Sequence, residues 1–157
     1  MAGAAREEVG EPPMKPTDFI SQLDEQEIVA AIAAAEKKTS GEIRVFVSHK
    51  QLDDPVAAAQ HAFDQLGMTK TRERNGVLIF VAPKARKFAV IGDAGVHERC
   101  GDEFWRELAA EMTTHFRQAE FTSGILHAIQ KAGELLAKHS PHRPDDVNEL
   151  PDTIAHD

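Results

Sequence analysis

The sequence has little cysteine, no long apolar run and fewer basic than acidic residues. Cys100 is the only cysteine among 157 residues, so the disulfide framework of a small secreted protein is excluded. The longest apolar runs, Val29–Ala35 and Val77–Ala82, are far shorter than the roughly 18 residues that indicate a membrane span. The 18 Lys and Arg against 26 Asp and Glu give a net charge of -8, which disfavours binding to nucleic acid or an anionic membrane.

The composition that remains is typical of one globular domain, with 41% hydrophobic and 28% charged residues. Residues 1–16 are rich in Ala, Gly, Glu and Pro, which predicts a disordered N-terminal arm. That arm has no apolar stretch of the kind found in secretory signals, so we expect a soluble cytoplasmic protein. We assign residues 17–140 to an α/β domain and residues 141–157 to an acidic, extended tail.

Hydrophobic periodicity predicts four helices and three strands. The strands are Glu42–Ser48, Val77–Ala82 and Lys87–Ile91, and the helices begin near Asp18–Asp24, Pro55, Asp102 and Phe121. A strand–helix–strand unit crosses right-handed and makes a parallel pair, whereas the short turn after Ala82 returns the third strand antiparallel. The sequence therefore predicts a small mixed sheet covered by helices.

This topology places several polar residues at one end of the sheet. Glu42 and Asn75 lie where the parallel strands begin, Asp93 lies where the third strand ends, and His97 and Asp102 follow. Oxygen ligands suit Ca²⁺ or Mg²⁺, so Glu42, Asn75 and Asp93 are the candidate metal ligands. Asp93, His97 and Asp102 are the candidate acid–base residues. The alternative is structural, with Asp93 stabilising a turn and Asp102 capping a helix.

Two further motifs give weaker evidence for a binding site. Gly92-Asp93-Ala94-Gly95 lies between a strand and a helix, as phosphate loops do, but it lacks the spacing and the Lys of a P-loop. A conformational requirement for glycine in the turn explains it better. His97 and Cys100 are three residues apart, yet no second pair completes a zinc site.

Four ordered segments resemble those of a known family. They are Thr39–Val45, Arg74–Ile79, Arg86–Asp93 and Phe121–Ile125. Together they resemble the TPM domain, a family that includes a thylakoid-lumen acid phosphatase and photosystem II repair proteins. The resemblance spans about residues 24–136 and implies a three-layer α/β/α sandwich of Rossmann-like appearance.

The resemblance also implies phosphatase activity and Ca²⁺ binding in some members, with recurring polar residues at Glu42, Asn75, Arg86 and Asp93. Many members have a signal peptide and a C-terminal membrane helix, and we expect neither here. Many also have a G-Y-G-like turn where this chain has Gly92-Asp93-Ala94-Gly95. The segment Pro144–Pro151 is similar to the tail of short soluble bacterial members.

Two hypotheses about function follow. The first is a non-catalytic module that binds an unidentified protein partner and assists assembly or maintenance, because no strong catalytic signature is present and the tail Asp145–Asp157 is acidic. The second is a metal-assisted acid phosphatase. In it, a cation held by Asp93 and Glu42, with Asp102 as a further ligand, would polarise a phosphomonoester and activate water, and His97 would transfer the proton.

Overall fold

The computed structural model describes residues 2–8, 15–142 and 150–157. Within these residues the helices are α1 (Pro16–Ser21), α2 (Glu25–Glu36), α3 (Pro55–Gln65), α4 (Ala94–Arg117) and α5 (Phe121–His139). The strands are β1 (Ala2–Glu8), β2 (Glu42–Val47), β3 (Gly76–Ala82), β4 (Lys87–Gly92) and β5 (Ala155–His156). No helix in these ranges is both long and apolar enough to cross a bilayer.

The described strands form one mixed sheet in the order β1-β4-β3-β2-β5. β2 and β3 are parallel and in register from Glu42 opposite Gly76 to Val47 opposite Val81. β4 returns antiparallel to β3 after a single 3-10 turn at Pro83–Ala85. The predicted parallel pair with an antiparallel partner is therefore confirmed.

Helices cover both faces of this sheet and make it a three-layer sandwich. On one face, Ile43, Val45 and Val47 of β2 join the larger core with α2, α4 and α5. On the other face, Phe46 and the alternate residues of β3 and β4 pack against α3. β3 reads as a continuous apolar run because both of its faces are buried.

Short side chains define where two helices begin. The Asp24 carboxylate accepts a hydrogen bond from the Glu27 amide at 3.1 Å and caps α2. Asp54 caps α3 in the same way, through the amides of Val56 and Ala57, with Pro55 at the first helical position. The helix start predicted at Pro55 is confirmed.

Both ends of the chain add strands that the hydrophobic pattern did not predict. Ala2–Glu8, expected as part of a disordered arm, instead forms an edge strand antiparallel to β4. An edge strand needs only main-chain groups to pair, so a segment poor in β-formers can still occupy it. Residues 150–157 end in β5, and Ile154 is buried in the larger core. Residues 9–14 and 143–149, including the acidic part of the tail at Asp145, lie outside the described residues.

α4 begins earlier than the predicted Asp102. It starts at Ala94 and is interrupted at Gly101, whose φ of +74° lies in the left-handed region. Gly92, just before it, is buried against Trp105: a Cβ there would lie 2.5 Å from Trp105 Cζ2. The glycine at 92 is thus required by close packing rather than by a turn conformation.

Candidate functional site

The main chain confirms that the candidate residues share one end of the sheet. Glu42 opens β2 opposite Gly76, Asn75 immediately precedes β3, and the Asp93 amide donates to the Gly76 carbonyl at 2.9 Å. At the level of side chains, however, the structure divides these residues among four separate sets of contacts.

Asp93 is fully buried, and both of its carboxylate oxygens have partners. Arg74 donates from Nε to Oδ2 at 2.7 Å and from Nη2 to Oδ1 at 2.8 Å. The Ala94 amide also donates to Oδ1 at 2.7 Å, so Asp93 caps α4 as well. This bidentate arrangement raises the pKa of Arg74, because hydrogen bonds to Asp93 and its charge favour the guanidinium. Asp93 therefore joins the loop before β3 to the start of α4.

Gly95 strengthens that junction. A Cβ at Gly95 would lie 2.7 Å from the carbonyl oxygens of both Glu73 and Arg74, so only glycine allows the two loops to approach. The Gly95 amide donates to the Arg74 carbonyl at 3.0 Å. The carbonyl oxygen faces this amide, and an incoming phosphate would meet an acceptor there rather than a cradle of free donors.

Asn75 lies in a second set of contacts. It is 2% exposed, and its Nδ2 donates to Ser40 Oγ and to Glu73 Oε2, each at 3.2 Å. Ser40 Oγ also donates to Glu73 Oε2. Asn75 Oδ1 is buried and has no hydrogen-bond partner among the described residues. This network fixes the loop before β2 to the loop before β3.

Glu42 belongs to a third set at the outer edge of β2. It is 2% exposed and hydrogen-bonds Glu36 at the end of α2, which also bonds Asp152. Burial and these two carboxyl neighbours raise the pKa of Glu36 to about 10, so its carboxyl group carries a proton at neutral pH. Arg44 lies nearby on the same face, and burial lowers the pKa of its guanidinium although Asp152 and Glu36 oppose that change.

His97 and Asp102 form the fourth set. His97 Nδ1 accepts a hydrogen bond from Trp105 Nε1 at 3.3 Å, and its Nε2 lies 3.5 Å from Asp102 Oδ1. The bond from Trp105 assigns the proton of the neutral imidazole to Nε2. The Asp102 side chain is 74% exposed, so this pair lies at the surface while Asp93 is buried.

The three predicted metal ligands are engaged in separate contacts as their side chains are placed. A cation at Asp93 would have to displace Arg74, and Glu42 is engaged with a protonated carboxyl group. Asn75 Oδ1 is an open acceptor, but one amide oxygen does not make a Ca²⁺ or Mg²⁺ site. Across residues 2–8, 15–142 and 150–157, no group of three or more His, Cys, Asp and Glu side chains is placed to hold a metal.

Arg86 lies apart from this end, whereas Cys100 lies on α4 between His97 and Asp102. Arg86 follows the turn between β3 and β4 at the opposite end of the sheet, with a left-handed φ of 56°. Cys100 is partly buried beside Gly101, and burial raises the pKa of its thiol, which makes it a poor nucleophile.

Sequence reasoning placed His97 beside Asp102 but missed the other partners of the candidate residues. The partners are Glu36, Ser40, Glu73, Arg74, Trp105 and Asp152. Arg74 offered the best signal, because it immediately precedes Asn75 and β3. The beginning of β3 lies beside the end of β4, where Asp93 follows. Asp152 offered none, because it reaches Glu36 across 116 positions of the chain.

Two grooves lie on the helical side, away from these contacts. The larger, about 450 Å³, runs between α2 and α5 and is lined mainly by small apolar residues such as Ala34 and Ala137, with Leu126 and Ile129. The smaller, about 300 Å³, runs between α4 and α5 and has a charged rim.

Comparison with known proteins agrees with this architecture. The family model for the TPM domain matches residues 14–135. The chain is similar to the BA42 protein of the psychrophilic bacterium Bizionia argentinensis, whose structure was determined by NMR. The two are 41% identical, the match covers 85% of this chain and 92% of that chain, and the TM-score is 0.78. No curated protein matches the chain.

Proposed function

The chain belongs to the TPM domain family, and from that premise we propose that it is a non-catalytic module that binds another protein and assists its assembly or maintenance. The observation that carries the proposal is the engagement of Asp93. Both of its oxygens accept hydrogen bonds from Arg74, and it caps α4 at the same time. A carboxylate used in this way stabilises the fold, and a substrate or cation would have to compete with Arg74 for it.

The placement of His97 supports the same proposal. Its Nδ1 accepts from Trp105, and its Nε2 points toward the exposed Asp102 rather than into the buried polar network of Asp93. In general acid–base catalysis each group must lie within hydrogen-bond reach of the proton that it transfers. Asp93 and His97 belong to separate sets of contacts here, which favours a structural role for each.

The experiment compares the wild type with Asp93→Asn, which keeps the cap on α4 because Asn is also a good N-cap residue. Immobilised full-length protein is used to capture a partner, which is then purified and titrated by calorimetry. We expect one partner to bind both proteins with affinities that agree within about twofold, a difference smaller than 1 kcal/mol. Circular dichroism confirms that the variant is folded.

The phosphatase alternative is tested on the same two proteins. A chromogenic phosphate ester is incubated with each in the presence of Ca²⁺, Mg²⁺ or Mn²⁺. We expect no release of phosphate by either protein. Turnover by the wild type that Asp93→Asn abolishes would overturn the proposal and restore the enzymatic hypothesis.

A further inference from the structure

The outer edge of β2 is covered by residues from the far end of the chain. β5 pairs parallel with β2 over only two residues, Phe46 opposite Ala155 and Val47 opposite His156. So short a ladder contributes little on its own. Residues 150–157, here called the C-terminal segment, must therefore be held mainly through side chains.

Three contacts hold this segment against the β2 edge. Ile154 is 8% exposed and packs in the larger core, while its neighbour Ala155 packs in the core on the opposite face. Arg44 Nη2 donates to the Thr153 carbonyl at 3.3 Å. The segment thus enters as an extended strand with one buried aliphatic anchor.

A carboxylate follows this anchor. Asp157 accepts from Ser48 Oγ at 2.7 Å and from the His49 amide at 2.6 Å, just beyond β2. A second carboxylate, Asp152, precedes the anchor and lies against Glu36 and Arg44. The edge therefore binds an acidic, an aliphatic and an acidic side chain in that order along an extended chain, at the positions of residues 152, 154 and 157.

The resident segment does not satisfy the site completely. Arg44 is only 6% exposed, yet its Nε has no hydrogen-bond partner among the described residues. Buried donors and acceptors without partners are costly, so a ligand that supplied an acceptor to Arg44 would bind better than the resident residues do.

We propose that the β2 edge is a binding site for an extended acidic peptide of a partner protein, and that the C-terminal segment is its intramolecular occupant. This inference rests on the proposed function, for which it names the surface and the kind of partner. The partner segment carries an aliphatic residue between two carboxylates and adds a strand to the sheet where β5 lies. The C-terminal segment competes with it and sets the apparent affinity.

The test uses a fluorescein-labelled peptide, LPDTIAHD, which copies residues 150–157. It is titrated by fluorescence anisotropy against the full-length wild type and against full-length Ile154→Asp, which weakens the resident segment. Because the wild-type segment keeps most sites filled, we expect the variant to bind at least about tenfold more tightly. Leu135→Asp, a matched substitution on α5 away from β2, is expected to behave as the wild type.

A second titration tests whether binding requires the two aspartates of the peptide. Replacing both aspartates of the peptide by asparagine is expected to weaken binding to Ile154→Asp at least about tenfold, since charge-assisted hydrogen bonds are lost. Equal binding of the two peptides, or equal binding by wild type and variant, overturns the proposal. A dimer of the wild type in sedimentation also overturns it, because the occupant would then be a second copy of this chain.

If Ile154→Asp does not fold, the full-length wild type decides by NMR. Excess peptide is expected to shift the amide signals of Val47, Ser48 and His49, and unshifted signals would reject the site. The outcome is separable from that of the proposed function. A captured partner with no peptide binding removes this site alone, whereas absence of any partner removes the function.

Discussion

Replacing Arg74 by methionine tests whether Asp93 is a structural residue. The side chain of Asp93 has no exposed surface, and Arg74 supplies two of its hydrogen bonds at 2.7 and 2.8 Å. Methionine keeps the length of the aliphatic stem but removes the guanidinium. The Ala94 amide then remains as the one donor to Asp93 among those identified above.

The expected loss in the free energy of unfolding follows from how deeply Arg74 and Asp93 are buried. Removing one member of a fully buried ion pair costs about 3–5 kcal/mol, because a charge is left buried without its partner. The Arg74 side chain is 46% exposed, so water can enter beside Asp93 once the guanidinium is gone. We therefore expect a loss of about 2–3 kcal/mol in the free energy of unfolding. For a domain of this size that lowers Tm by about 4–12 °C.

A double-mutant cycle with Asp93→Asn separates the pair from its surroundings. Asparagine still caps α4, and Arg74 alone can turn to solvent, so we expect Asp93→Asn to cost only about 1 kcal/mol. The double variant should be more stable than Arg74→Met, because no buried charge remains. Urea unfolding followed by circular dichroism measures all four free energies.

Arg106→Met serves as the control, since Arg106 is exposed on α4 and its loss should change stability by less than about 0.5 kcal/mol. The reasoning fails if Arg74→Met is as stable as Arg106→Met. It also fails if Asp93→Asn costs more than Arg74→Met, since the buried charge would then not be the source of the loss.

Two further predictions concern buried contacts. Glu36 has a raised pKa, so the stability that its carboxyl group contributes is fully present below pH 4.5 and is lost as the pH rises toward about 10. Glu36→Gln should flatten the decline of stability between pH 5 and 9 and stabilise the chain by about 1–2 kcal/mol at pH 8 after allowance for solvent screening. The substitution Glu98→Gln, at an exposed position, should leave the decline unchanged. Equal dependence of the unfolding free energy on pH for the two variants, measured by urea titration, would contradict this prediction. Gly92→Ala should cost about 2–3 kcal/mol, because its Cβ would meet the rigid ring of Trp105 at 2.5 Å. Gly67→Ala meets no atom within 4 Å and should cost only about 1 kcal/mol for its φ of +74°; equal losses in thermal unfolding would refute the packing argument.

Elements with a clear hydrophobic period could be predicted from the sequence. β2 alternates between two cores, β3 is apolar on both faces, and α5 begins at Phe121 as its apolar stripe indicates. Their pairing followed from connection length and handedness. β1 and β5 could not be predicted, because they occupy sheet edges through main-chain bonds and one or two anchors such as Ile154. Hydrophobic periodicity in the sequence does not reveal contacts of that kind.

The position of the candidate site could be predicted, but its chemistry could not. Strand direction correctly placed Glu42, Asn75 and Asp93 at one end of the sheet. What decides their chemistry is the partner of each side chain, and those partners include Glu36 and Asp152, which come from another helix and from the far end of the chain. A spacing rule applied to a single sequence has no access to such partners.

The end of a sheet is where structural and catalytic carboxylates are hardest to distinguish. Strands begin or end there, α4 starts there, and the main-chain groups at those points need caps that Asp, Asn and Ser supply. Those same residue types supply oxygen ligands and acid–base groups. Counting the donors at each oxygen separates the two roles: Asp93 is occupied at both oxygens, whereas the buried Oδ1 of Asn75 still lacks a partner among the described residues. The bonds of Asp93 join the loop before β3 to α4, so removing them should be detected first as a loss of stability and only then, if at all, as a loss of binding.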